Sequence, residues 1–305
     1  MAFSLRNTRS SHCRYTGFNN SRIILSYEES SLHHGQFSLK TIAMPYEDEK
    51  THSLGVRRLI ALECRKLANN GELEARLRAM DATGQKQRIF IMGCGRSGTW
   101  LLTGIMSTFR DVAIIPAEVP VELFGLMTSS KPIQVMKRSM RSFESVERIP
   151  PRISILYIMR HPFDVLTSFN KTTGRKYHIS PARWLGEIMA LQFLVDTKRP
   201  ATKIVRYEDL VEDPLRVQGQ IADFFGLARN VDANQFLNTF HPPPEATAAM
   251  HGLRPIDRRS VGRWKSDNEN IDYLRSIRPR LGGMLDWVGN KFDYDIALPA
   301  ELQAV

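Results

Sequence analysis

The stretch RIFIMGCGRSGTW, residues 88–100, decides how the rest of the chain is read. Arg88–Met92 is a short apolar run that reads as a strand, and Thr99–Phe109 reads as a helix. Between them stand Gly93, Gly95 and Gly98, which let the backbone turn tightly and approach a ligand. A helix starting near Gly98 aims its free N–H groups into that turn, and such a nest binds an anion whatever the side chains. Ser97 and Thr99 add hydroxyl donors. The spacing from Gly93 to Gly98 is that of a triphosphate-binding loop, which continues with Lys and then Ser or Thr. Here Thr99 and Trp100 follow instead, and the positive charge sits inside the loop on Arg96. No strand-end Asp nearby is an evident magnesium ligand, so a triphosphate with its metal fits poorly. The plain alternative is a glycine-rich turn that binds nothing. Apolar strand, glycines, internal arginine and hydroxyls together speak against it.

Downstream, strands and helices alternate. Val112–Ile115, Arg152–Met159 and Lys203–Arg206 read as strands. Pro162–Lys171, Pro181–Thr197, Asp213–Phe225 and Asn268–Gly289 read as helical. The pattern implies an α/β fold, a parallel central sheet flanked by helices. HPPPEATAAMHGLRP, residues 241–255, is one long loop-like segment, of the kind that serves as a lid or binding loop or stays disordered.

A second anion grip lies in YIMRHPFDVLTSFNK, residues 157–171. Arg160 stands at the carboxyl end of a buried strand, where ligands of open α/β sheets bind. Pro162 suits the first turn of the next helix, and Ser168 is expected on that helix. Taken singly, Arg160 reads equally well as the partner of a core carboxylate, and Ser168 as part of a polar helix face. Side by side with the glycine loop, the pair reads as a binding site.

RSGT after an apolar strand, followed by RHPFDVLTS, resembles the sulfotransferases that use 3′-phosphoadenosine 5′-phosphosulfate (PAPS). IVRYEDLVEDPLRVQGQIADFFGL, residues 204–227, is similar to the family's RYEDL segment, and RRSVGRWKSD, residues 258–267, to its C-terminal G-x-W motif. The resemblance covers about residues 86–295, with the motifs in consistent order. It implies the P-loop NTPase-like sulfotransferase fold and a co-substrate with two anionic ends, bound without a metal. By similarity Gly95, Arg96, Ser97, Gly98 and Thr99 hold the 5′-phosphosulfate, and Arg160 and Ser168 hold the 3′-phosphate. Tyr207 contacts the adenine side. Arg258, Arg259 and Ser260 close over the 3′-phosphate, with Gly262 allowing close backbone approach. Trp264 packs that segment, and Arg254 and Arg263 add positive field. Arg96 stands where many cytosolic members carry lysine, and this arginine form resembles the tyrosylprotein and carbohydrate branches. Arginine keeps its proton, so Arg96 is assigned as an electrostatic clamp on the sulfuryl group and the leaving phosphate. Trp100 departs from the family's Thr or Ser; it packs against the sheet or stacks on the donor.

Sulfuryl transfer needs a base at the acceptor. Glu118, in IIPAEVPVEL just past the second strand, is assigned this role, and the arginine-type branches resemble this chain in carrying a glutamate about as far beyond the loop. A solvated glutamate at a helix start is an equal reading. Glu122, His241 and His251 are rivals. His161 suits a helix cap better, and Glu208 and Asp209 suit local structural pairing. An unusual P-loop kinase or NTPase and an inactive nucleotide-binding protein remain the alternatives to an enzyme of sulfuryl transfer.

The totals set outer bounds. The chain has 305 residues, 42% hydrophobic, a soluble globular composition. No run approaches the length of a membrane helix, so no membrane span is expected. Cys13, Cys64 and Cys94 are scattered, without metal-ligand spacing, which suits a reducing, cytoplasmic compartment. A net charge of +10 favours an anionic ligand, although Arg6, Arg9, Arg14 and Arg22 all precede the first acid, Glu28. Basic and aromatic residues are not interleaved, so no nucleic acid is expected. Residues 1–43, rich in Ser, Arg and Asn, read as a disordered tail, an organelle transit peptide, or sequence preceding a true start at Met44. Residues 44–85 read as a helical extension of two amphipathic helices broken at Asn69-Asn70-Gly71, packed on the same chain or joining a homodimer. Residues 86–305 form the catalytic domain. The acceptor, a glycan, lipid, small alcohol or phenol, or peptide, is expected against 117–150 and 240–256.

Overall fold

The computed structural model describes residues 12–14, 24–28, 38–40, 87–115, 121, 124, 131–138, 146–147, 149–169, 176–242, 247, 252 and 254–299. The chain divides into two compact units, residues 1–75 with 126–128, and residues 76–125 with 129–305. In the first, β1 (His12–Arg14), β2 (Ile24–Glu28) and β3 (Ser38–Lys40) pair antiparallel in that order, within the stretch whose composition reads as a tail. The helices expected over 47–80 lie outside the described residues.

The second unit is built on a five-stranded parallel sheet of order β5-β6-β4-β7-β8. The strands are β4 (Gln87–Met92), β5 (Val112–Ile115), β6 (Ile133–Lys137), β7 (Ile153–Met159) and β8 (Thr202–Arg206). The α/β reading holds, with flanking helices α1 (Thr99–Met106), α2 (Pro162–Leu166), α3 (Pro181–Asp196), α4 (Tyr207–Glu212), α5 (Pro214–Phe225) and α6 (Asn268–Phe292). β6 is a strand that the sequence pattern does not announce. Gln134 and Lys137 interrupt its apolar run, yet both are buried, because β6 lies between β4 and β5.

β4 is central, and its residues alternate between two faces. Ile89 and Ile91 join Leu102, Ile105, Leu156 and Phe236 in one apolar cluster, while Phe90 meets Phe124 at 6.1 Å between ring centroids. β7 is buried along all seven residues, which is why it reads as an unbroken apolar run. The chain leaves β4 toward β5 and β6 on one side, and β7 leads to β8 on the other. The crevice at the carboxyl ends of β4 and β7 is therefore the topological switch point.

Local signals set the helix starts. Ser180 and Asp213 accept from Arg183 N and Arg216 N, with Pro181 and Pro214 next in line. Gly226, at φ 67°, ends α5. The segment after α5 is tied down by one buried amide. Gln218 donates to Thr108 Oγ1 (2.7 Å) and to the Val231 carbonyl (2.8 Å), and accepts from Ala233 N (3.0 Å). A Gln218→Leu substitution leaves the Val231 carbonyl and the Ala233 N–H without partners in the interior. We expect a loss of about 2–5 kcal/mol, read as a lower midpoint in urea unfolding at an unchanged m-value.

Candidate functional site

The glycine loop leaves β4 and enters α1 through two left-handed residues, Arg96 (φ 72°) and Gly98 (φ 94°). Gly98 caps α1 without a side-chain hydrogen bond, and the first turn carries no acid. The N–H groups there face the loop with the positive end of the helix behind them. Gly98 is required twice over, since an added Cβ would lie 2.5 Å from the Tyr207 ring. Gly93 sits so close to β7 that a Cβ would come within 2.6 Å of the Ile158 carbonyl oxygen.

Arg160, the first residue beyond β7, fastens this loop. Its Nη1 donates to the Arg96 carbonyl at 3.0 Å, and its Nη2 donates to the Ser260 carbonyl. Its guanidinium carbon stands 4.6 Å from the centre of the Tyr207 ring, and Nη2 is 3.7 Å from Asp164 Oδ2. The carboxylate partner that Arg160 alone suggests is thus present, one helical turn along in α2. Asp164 in turn accepts from Gly262 N (2.8 Å) and Trp264 N (3.2 Å), which docks the C-terminal motif on α2. Tyr207 Oη and Ser260 Oγ are 3.0 Å apart. Gly262 takes φ 72°, and an added Cβ would meet nothing within 4 Å, so backbone conformation is what calls for glycine there.

Ser168 is not on a helix. α2 ends at Leu166, and a short antiparallel bridge between Phe169 and Tyr177 holds the residue instead. From there Ser168 Oγ accepts from Arg96 Nε at 2.9 Å. Arg96, Arg160, Ser168, Tyr207, Ser260 and Gly262 therefore converge at one place. Burial, and then the charge of Arg160, press on the protonated form of Arg96. Arg258 and Arg259 are elsewhere, exposed and paired with Glu212 (2.6 Å) and Asp257 (2.7 Å). Trp100 is half-buried, with Lys137 Nζ 4.0 Å from the centre of its ring and Phe240 at 6.3 Å. Glu118, Glu122 and His251 lie outside the described residues, and His241 is exposed.

Two participants escaped the sequence reading. Lys137, fully buried at the carboxyl end of β6, went unseen because its strand did. Asp164 lies within the RHPFDVLTS motif, four residues after Arg160, and that spacing was a usable signal. The reading of His161 as a helix cap is realised, with Nδ1 accepting from Phe163 N at 3.2 Å. Glu208 is likewise a structural partner, accepting from His161 N (2.9 Å) and from Tyr294 Oη (2.8 Å). Trp264 is buried against Phe163, with ring centroids 4.9 Å apart.

Comparison with solved structures agrees with this architecture. A sulfotransferase domain from the curacin biosynthetic pathway superposes with a TM-score of 0.53 at 15% identity, covering 70% of this chain and 99% of that one. The chain has the sulfotransferase fold. A second such domain, from the Synechococcus PCC 7002 olefin synthase, matches with a TM-score of 0.50 at 17% identity, over 70% of this chain and 97% of its own length. No family model and no curated protein matches the sequence. Among the described residues of this sulfotransferase fold, no helix is long and apolar enough to cross a membrane.

The His161 ring is sandwiched in this fold, stacked on Trp264 at 5.6 Å and edge-on to Tyr294 at 5.3 Å. Burial lowers its pKa from the ordinary value of 6.5, against the opposing pull of its hydrogen bond to the Asp295 carbonyl and of the Asp164 and Glu208 carboxylates. The unfolded chain therefore binds this proton more readily than the folded one. His161 contributes stability above about pH 6.5 that is lost as pH falls toward its folded value. We expect the His161→Asn variant to show a shallower loss of stability than the wild type between pH 7 and 5, measured by urea titration.

Proposed function

We propose that the chain is a sulfotransferase that moves a sulfuryl group from PAPS to a hydroxyl or amine of an acceptor, by in-line transfer without a metal. The observation that carries the proposal is the meeting of Arg96 and Arg160 beside a glycine loop that has no lysine after Gly98. The residues suit a ligand with two anionic ends. Arg160 Nε is buried without a hydrogen-bond partner and would take a phosphate oxygen.

In this reading the N–H groups of Gly95, Arg96, Gly98 and Thr99, with the Ser97 hydroxyl and the Arg96 side chain, hold the 5′-phosphosulfate. Arg160, Ser168 and Ser260 hold the 3′-phosphate, and Tyr207 borders the adenine side. Arg258 and Arg259 exchange their surface pairs for the 3′-phosphate as the segment closes. Such exposed pairs are screened by solvent, so this costs little. Trp100, occupied by Lys137 and Phe240, serves as a wall between the loop and the acceptor side. Arg96 neutralises charge growing on the leaving phosphate, and Glu118 takes the acceptor's proton as the new sulfur–oxygen or sulfur–nitrogen bond forms. The reading includes a cytosolic location, on the strength of the scattered cysteines.

Adenosine 3′,5′-bisphosphate should raise the melting temperature, and ATP with magnesium should not. Stabilisation by ATP with magnesium alone would sink the proposal. An acceptor screen read by mass gain then supplies a turnover assay. In it, the Glu118→Gln variant should keep bisphosphate affinity and lose about 10²–10⁴-fold in turnover; unchanged turnover removes Glu118 from the role.

A further inference from the structure

Gly95 is a glycine without a backbone reason. Gly93, Gly98 and Gly262 have positive φ angles, and Gly95 does not. An alanine there would be conformationally ordinary. What excludes a side chain is contact from the first turn of α3 and from Ile179 just before it. A Cβ on Gly95 would lie 2.9 Å from Arg183 Nη2 and 3.1 Å from Ile179 Cδ1. The guanidinium of Arg183 is thus laid directly on the loop.

The backbone of Arg183 is fixed in the first turn of α3. Its backbone N–H is capped by Ser180 Oγ at 3.3 Å, at the start of α3. One turn on, Glu187 is fully buried, and Tyr157 Oη donates to its carbonyl at 3.1 Å, joining α3 to β7. Arg183 and Glu187 share a face of α3 by their spacing. Both charges act on Cys94, the loop residue before Gly95. Burial and then Glu187 push its thiol pKa up, and Arg183 pulls it down. The loop's first turn therefore lies against a charged pair that belongs to another element.

We propose that Arg183 is a positioning residue for the 5′-phosphosulfate end of the donor site. It acts through Gly95, pressing the first turn of the loop into the shape that presents its N–H groups, and adds positive charge at that end. The inference rests on the donor reading above and names a residue outside the motifs that suggested it. It also predicts a coupling. An alanine at 95 displaces the flexible end of Arg183, which costs little stability but moves the guanidinium off the loop. With Arg183 truncated, the new methyl meets less resistance.

The test is a double-mutant cycle on the full chain with Gly95→Ala, Arg183→Ala and the double variant. Affinities are measured by calorimetry for adenosine 3′,5′-bisphosphate and for adenosine 3′-monophosphate, which lacks the 5′ group. We expect each single variant to weaken bisphosphate binding about tenfold, and the double variant to be no weaker than Arg183→Ala. Binding of the 3′-monophosphate should be unchanged throughout, which a general loss of structure would not allow. Wild-type bisphosphate affinity in Arg183→Ala, strictly additive losses, or equal loss for both nucleotides overturns the inference alone. Wild-type protein that binds neither nucleotide overturns the donor reading and this inference with it.

Discussion

One guanidinium holds the site together. Arg160 leaves β7 and reaches the Arg96 carbonyl, the Ser260 carbonyl, the Tyr207 ring and the Asp164 carboxylate. These belong to the glycine loop, the C-terminal motif, α4 and α2. A planar group with several fixed donors can serve so many directions at once; a lysine ammonium on a flexible stem cannot hold the same geometry. Arg96 is a non-glycine residue with φ at 72°, a conformation that costs on the order of 1 kcal/mol or more unless its surroundings impose it. The hydrogen bond from Arg160 to its carbonyl is part of what imposes it.

The same contact concentrates positive charge. Burial lowers the pKa of Arg96, and the nearby charge of Arg160 depresses it further. Carbonyl oxygens and Asp164 offset part of the repulsion but carry only one full negative charge between them. The two guanidiniums stand side by side independently of the family resemblance. The helix end at Gly98 adds to the positive charge, because its first turn has no acid to answer the N–H groups.

Asp164 makes the C-terminal segment part of the site. Its two oxygens accept from Gly262 and Trp264, so the chain after the long loop returns to the helix that follows Arg160. Trp264, Phe163, His161 and Tyr294 pack together behind that joint. Ser260 reaches Arg160 and Tyr207 from this anchored segment, whereas Arg258 and Arg259, two and one residues earlier, remain in solvent.

The strand–loop–helix at 88–109, the buried strand before Arg160 and the alternation that makes the sheet parallel were all legible in the sequence. Each depends on periodicity or on residues adjacent along the chain, so a linear pattern carries it. The helix caps at Ser180, Asp213 and Gly226 are local in the same sense. Other features are decided by packing between distant segments. β6 is a strand because its neighbours bury Gln134 and Lys137, which no local pattern foretells. Ser168 meets Arg96 through a bridge to Tyr177 rather than along a helix. Arg183 reaches Gly95 from 88 residues away, because α3 lies over the loop. The amino-acid sequence by itself determined where the glycine loop stands and that an arginine lies within it. Only the tertiary structure decided which side chains surround that loop, since those contacts arise from the order of strands in the sheet.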